Sequence, residues 1–307
     1  MSVSSAAKKL LDEFRSRPTL RAGSLITTVF GDAIAPRGGS VWVGSLIQVM
    51  ADFGISERLV RTSVFRLSKE GLLGIKQIGR RSYYGLTVEG SRMFEQATDR
   101  IYGEPQETWS GGWCVVLLAG LPSDARDNVR RELRWLGFGA IGASVLAHPA
   151  PNAEGLKEVL RRLAVADQIV VVNGSTKDDA QDQSMRLLAQ KSWNLDDIDR
   201  RYDEFVKQFR PVYVAVRKRK SVEPRLAFQI RTLLIQEYRK ILLRDPLLPA
   251  ELLPEGWNGL AAYQLCRNLY LKTYSDADLF LNEMMETAEG PLPPPSPQFY
   301  TRFGGLR

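Results

Sequence analysis

The chain has 307 residues, 44% hydrophobic and 25% charged, with a formal net charge of +7. That length holds two or three domains with their own cores, and the composition excludes wholesale disorder. Two cysteines without C-x-x-C spacing exclude a zinc ribbon or a dithiol redox pair, and a single histidine excludes a multi-histidine metal centre. No apolar run approaches the roughly 20 residues of a membrane span. The start, MSVSSAAKKLLDEF, lacks the apolar segment of a signal peptide. A cytoplasmic protein with no membrane partner is expected.

The first block ends near Gly103-Glu104-Pro105. A helix is predicted from Ser24, its N-cap, to Ala35, and Pro36-Arg37-Gly38-Gly39 stops it. Val41 to Val43 is a short strand. Ser45 is expected to cap a second helix that ends at Gly54. Ser56 caps a third, which ends at Gly71. Two short strands, IKQI and YYGL, flank Gly79-Arg80-Arg81-Ser82 and read as a hairpin. Thr87 starts the last helix of the block. The second block opens with a buried-strand signature at 113–118. A helix from Ser123 to about Trp135, a strand near Ser144 to Ala147, a helix from Ala153 to Ala164 and a strand from Gln168 to Val172 then follow, which predicts a ferredoxin-like α/β sandwich. The third block is mainly helical: helices from about Asp178 to Leu188 and from Asp196 to Phe209, an interruption at Pro211 with a possible strand over 212–216, and long helices from Pro224 to Leu243 and from Leu260 to Thr273. The proline-rich 290–298 is an extended strap, because proline removes a donor and restricts its predecessor. The expected fold class is α+β and multidomain: a winged helix-turn-helix over 22–103, the ferredoxin-like sandwich over 108–177, and a mainly helical domain over 178–307.

Charge singles out the first block. Residues 1–103 carry 15 Lys and Arg against 9 Asp and Glu, a net +6; the remainder carries 27 against 26, a net +1. A local basic excess suits a polyanion partner, although a solvated basic face has the same composition. On a helical wheel, Val60, Val64 and Leu67 share one face of the helix after Ser56, with Leu59 at its edge. The opposite face carries Arg58, Thr62, Phe65 and Lys69, with Arg61 and Arg66 on its margins. A phenylalanine among cations gains nothing from solvent and suits a face that meets a partner. Helix, helix, third helix and basic hairpin is the order of a winged helix, whose recognition helix enters the major groove, about 12 Å wide. Double-stranded operator DNA is therefore the expected partner. Arg58, Arg61 or Arg66 would reach guanine edges or phosphates, and Thr62 and Phe65 would meet thymine methyls. Arg80 and Arg81 would contact phosphate or the minor groove, with Tyr83 orienting the hairpin. The competing readings are a snorkelling Arg66 at the core edge and a Phe65 that packs on the hairpin or on another domain.

Longer motifs narrow the reading. SERLVRTSVFRLSKEGLL, LRWLGFGAIGASVLAHP, LLIQEYRKILLRDPLLPAELLPEGW, AYQLCRNLY and FGGL, in this order, resemble the PaaX family of bacterial transcriptional repressors. The resemblance runs from about Ser24 to Leu306. It implies an N-terminal winged helix, a central domain like the small CRISPR-associated nuclease fold and a helical C-terminal domain. It also implies a homodimer that represses phenylacetate-catabolism genes until phenylacetyl-coenzyme A binds. The chain departs from the expected pattern at Gln236, where the family is expected to have His.

Coenzyme A carries phosphates, an adenine and an apolar tail, so its site needs cations beside aromatic surface. VRKRK offers Arg217 and Lys218. The long helix offers Arg231, Gln236, Tyr238 and Arg239; Trp257 and His148 complete the candidate ligand residues. Charge runs of this kind are more commonly solvated faces.

No catalytic residue, metal or cofactor is expected. The first central strand exits into Ala119-Gly120-Leu121-Pro122 without a carboxylate before Asp124, which suits a first helical turn. His148 has no nucleophile-elbow neighbour. GFGAIG at 137–142 follows a helix and opens a strand, the reverse of a dinucleotide site. The alternatives are an acyl-coenzyme A or RNA-processing enzyme that uses the winged helix as a docking module, and an assembly scaffold that binds neither DNA nor ligand.

Overall fold

The computed structural model describes residues 2–19, 21–105, 109, 111–149, 151–175 and 179–306, with the backbone alone for 179–182. The expected boundary at 177–178 lies outside them. The chain is mixed α+β with small sheets. It divides into two compact units: one built from 1–104, 204–240 and 261–307, the other from 105–203 and 241–260.

The first unit opens with α1 (Val3–Arg15), a helix outside the elements predicted from the sequence. Ser2 caps it, and Ala6, Ala7, Leu10, Leu11 and Phe14 bury one face. Next comes α2 (Ala22–Val29), which runs into a π-helical turn over Phe30–Ile34 and a tight turn that Gly38 ends at φ +85°. The helix starts two residues before Ser24, and Arg21 at its N-cap makes no side-chain cap. Ser24 is thus free to serve a tertiary contact. Strand β1 (Ser40–Trp42) leads into α3 (Val43–Ala51), which begins before Ser45; the buried Ser45 hydroxyl accepts from the Glu286 amide at 3.2 Å instead of capping the helix.

Gly54, at φ +76°, turns the chain into α4 (Glu57–Lys69). Ser56 caps α4 as expected, accepting from the Leu59 amide at 3.4 Å. Strands β2 (Leu73–Ile78) and β3 (Arg81–Leu86) form a hairpin whose register, Ile78 opposite Arg81, leaves Gly79 and Arg80 as a two-residue loop. Gly79 takes φ +58° at the first loop position, which costs glycine little. Strand β3 lies between β2 and β1. Thr87 caps α5 (Val88–Tyr102).

The core of this unit is completed by distant segments. In α9 (Leu195–Val216), Pro211 lies inside a continuous helix, and 212–216 is helical rather than extended. Phe205, Phe209, Val212 and Val216 recur on one buried stripe. Their burial, roughly 1.5–3 kcal/mol each, offsets the roughly 3 kcal/mol that an interior proline costs. α10 (Pro224–Leu242) and α11 (Gly259–Met284, longer than the sequence pattern suggested) extend a series of rings that starts on α1. Phe14 meets Phe53 at 6.3 Å, Phe53 meets Phe228 at 5.8 Å, and Phe228 meets Phe280 at 5.1 Å. A short β8–β9 pair (Glu286–Thr287 and Gly290–Pro291) and a tight helical turn over Pro297–Gly304 end the chain.

The second unit holds β4 (Gly112–Leu117), α6 (Ser123–Trp135), β5 (Gly139–Gly142), β6 (Val145–His148), α7 (Ala153–Arg162) and β7 (Val170–Ser175). All neighbouring strands are antiparallel, in the order β5-β6-β4-β7. Cys114, Val116 and Leu118 pack with Val129, Leu133, Leu156 and Leu160 of the two helices. Gly137, at φ +90°, makes the turn into β5. At Gly139 a Cβ would lie 2.4 Å from the Trp193 ring on α8 (Asp179–Trp193), so the glycines serve a turn and close packing.

Candidate nucleic-acid interface

Helix α4 separates its two faces cleanly. Val60, Ser63, Val64 and Leu67 are buried, while Arg58, Arg61, Thr62, Phe65, Arg66 and Lys69 are exposed. Phe65 is 59% exposed, and its only ring partner among the described residues is the Lys69 ammonium, 5.5 Å from the centroid. Leu59, read as a core-edge residue, is 37% exposed on the same outer side. Arg61 pairs with Glu57 at 2.8 Å, and Arg66 approaches Glu70 at 3.5 Å. Both pairs are open to solvent and worth about 0.2–1 kcal/mol, so they hold the cations in place without locking them. Thr62 donates to the Arg58 carbonyl at 2.8 Å.

The hairpin divides its two arginines. Arg80 sits exposed in the loop. The Arg81 guanidinium lies 4.3 Å from the Trp42 ring centre and pairs with Glu286 at 2.8 Å. A hydrogen bond with Tyr83, with the Glu286 carboxylate beside it, raises its pKa further. Tyr83 is buried and lies opposite both Trp42 and Lys76, so it fixes the hairpin from its inner side. Trp42 and Glu286 were not among the residues singled out in the sequence. No local pattern links Arg81 to a carboxylate 205 positions away.

The candidate ligand residues do not converge. His148 and Trp257 belong to the second unit. His148 is buried with Nε2 3.2 Å from the Pro246 carbonyl, and Trp257 packs edge-on against Tyr202 at 5.7 Å. In the first unit, Arg217 and Lys218 are exposed beyond the end of α9. Tyr238 is buried against Phe205 at 5.5 Å. Gln236 and Arg239 both reach Ser24 and Thr28 on α2.

Arg231 enters a buried charge cluster that sequence reasoning passed over. Asp32, on the π-turn, accepts from Arg231 at 2.7 Å, Arg302 at 3.0 Å, Tyr102 at 2.7 Å and Tyr270 at 2.9 Å. Asp278 takes Arg231 and Arg37, each at 2.7 Å. The Phe299 ring lies within 5.4 Å of all three guanidinium carbons. Burial pushes the Asp32 carboxyl up, but Arg231 and Arg302 outweigh it and hold the group below the usual carboxylate range. The available signals were a lone acid in the apolar TTVFGDAIA and a lone arginine among aromatics in FYTRFGG. The FGGL stretch itself needs glycine: Gly304 and Gly305 take φ +77° and +122°.

Among the described residues, no helix is long and apolar enough to cross a membrane. The fold resembles that of an uncharacterized protein from Mycobacterium tuberculosis, with a TM-score of 0.54 and 20% identity over 85% of this chain and 99% of that one. The transcriptional repressor PaaX of Escherichia coli, a regulator and not an enzyme, is 38% identical over 284 residues, 92% of this chain and 90% of the relative. Three family models match in chain order: the PaaX-like protein over 21–90, the PaaX protein central Cas2-like domain over 106–186, and the PaaX-like protein C-terminal domain over 193–283. With most of its length matched in this order, the chain belongs to the PaaX family of transcriptional repressors.

Proposed function

We propose that this repressor binds operator duplex through a winged helix, with α4 in the major groove and the β2–β3 hairpin on the flanking backbone, and that phenylacetyl-coenzyme A releases it. The observation that carries the DNA reading is the exposed Phe65 set among Arg58, Arg61, Arg66 and Lys69 on a helix whose other face is buried. An exposed ring has a use where it meets thymine methyls, and the surrounding cations then meet guanine edges and phosphates. The β-α-β-β-α-β order of the second unit supports a ferredoxin-like central domain. A homodimer, placing two such helices about one helical turn of DNA apart, multiplies specificity. The genes it controls are those of phenylacetate catabolism, and it works in the cytoplasm. Effector release requires that the thioester favour the DNA-free state, and a coupling of about 1–3 kcal/mol gives roughly 5- to 150-fold relief.

The test is fluorescence anisotropy of the protein on duplexes from upstream of its own and neighbouring operons, with and without phenylacetyl-coenzyme A. Sequence-selective binding relieved by the thioester and not by free phenylacetate is expected. Selective binding without relief would remove the effector, and no selective binding would remove the DNA reading of α4.

A further inference from the structure

Where α2 meets α10, the first unit holds a group of donors with too few acceptors. The Ser24 hydroxyl oxygen accepts from Gln236 Nε2 and Arg239 Nη2, both at 3.0 Å. Its own hydrogen has no acceptor among the described residues. Thr28, buried, donates to the Gln236 carbonyl oxygen and accepts from Arg239 Nε at 2.7 Å. Arg239 Nη2 also reaches the Ser24 carbonyl at 2.8 Å. Arg239 is a half-buried cation, and every group that it touches among the described residues is neutral. Burial accordingly lowers its pKa. Glu237 offsets this only in part and makes no hydrogen bond to Arg239 among the described residues, and a cation so placed is costly unless an anion completes it.

The rim adds to the excess. Arg17 pairs with Glu237 at 2.8 Å and Lys240 with the same carboxylate at 3.0 Å. Two cations thus share one acid, and Arg239 adds a third positive charge beside them. Burial lowers the Lys240 pKa, and the like charges of Arg17 and Arg239 lower it further against the pull of Glu237. Gln236 and Thr28, buried and bonded to each other, form a floor that holds Ser24 and Arg239 in place. A hydroxyl hydrogen, a guanidinium and two further cations are the donors that a phosphate group takes.

We propose that Ser24, Arg239, Lys240 and Arg17 form a phosphate-binding site, filled by a phosphate of the coenzyme A thioester or by a phosphate of the operator backbone. The proposal rests on the effector-controlled repressor reading and adds a site to it. The two sources share their chemistry and differ in their linkage.

The experiment uses the full chain, its Arg239→Met and Lys240→Met variants, calorimetry with phenylacetyl-coenzyme A, and anisotropy on the operator duplex over a salt series. Among the described residues the Lys240 ammonium bonds only Glu237, so its variant guards against a folding defect at Arg239. A fall in thioester affinity of about tenfold in Arg239→Met and a smaller fall in Lys240→Met, with an unchanged salt slope, places the soluble phosphate in the site. A loss of about one from the magnitude of the slope in each variant, with thioester affinity kept, places a backbone phosphate there. Wild-type values in both assays for both variants overturn the site and leave the repressor reading standing. Failure of the wild-type protein to bind either probe overturns both.

Discussion

Phe65 separates partner contact from packing because its exposure leaves little folding energy to lose. Phe65→Ala is expected to leave the urea midpoint within about 0.5 kcal/mol of wild type and to weaken operator binding by ~1–3 kcal/mol. The reverse result, with affinity kept and stability lost, would return the ring to the core. Arg61→Ala and Arg66→Ala are each expected to weaken specific binding by ~1–3 kcal/mol in anisotropy, since their exposed pairs with Glu57 and Glu70 release readily. Asp32 is the opposite case. Asp32→Asn leaves Arg231 and Arg302 buried with less counter-charge, and a loss of about 3–5 kcal/mol is expected. Folding lowers the Asp32 pKa, so its contribution is complete above the unfolded value near 3.9 and is lost as pH falls through the folded value. The gap in urea midpoint between wild type and Asp32→Asn is therefore expected to be flat from about pH 8 to about pH 5 and to shrink below about pH 4.

At the scale of elements, the hairpin presents two unequal cations. Arg80→Ala is expected to lower the magnitude of the salt slope of operator binding by about one. Arg81→Ala is expected to lower it by less, because Arg81 is already held by Glu286 and Trp42. Glu286→Gln, by freeing Arg81 for phosphate, is expected to steepen the slope in the same salt titration. An unchanged slope in all three would place the hairpin off the DNA. Helix α4 and its hairpin were legible in the sequence because cap, apolar period and turn residues are local and agree. Ser24 and Ser45 were misread as caps for the complementary reason. Each hydroxyl serves a partner more than 200 positions away, Gln236 and Glu286 respectively, and a cap pattern is blind to that distance. Pro211 misled in the same way, since the buried stripe that keeps α9 continuous depends on helices the local pattern does not contain. The Asp32 cluster drew on five separate stretches of chain and left only single out-of-place residues as signals.

On the scale of the whole molecule, the first unit is discontinuous in sequence: its N-terminal 104 residues share a core with 204–240 and 261–307. Phe53 needs Phe228, and Asp32 needs Arg231 and Arg302. The segment 22–103 expressed alone is therefore expected to lack a cooperative urea transition and to bind a hydrophobic dye, whereas the full chain unfolds with a defined midpoint. A sharp native-like transition in the isolated segment would show that the distant helices add little. The distance between Asp32 and Arg302 also has a meaning in time. They are 270 positions apart, and at ~5–20 residues per second a ribosome needs roughly a quarter of a minute to a minute to make the second after the first. Throughout that interval the nascent chain carries a buried-to-be Asp32 carboxylate without the Arg302 cation that pairs with it in the folded unit.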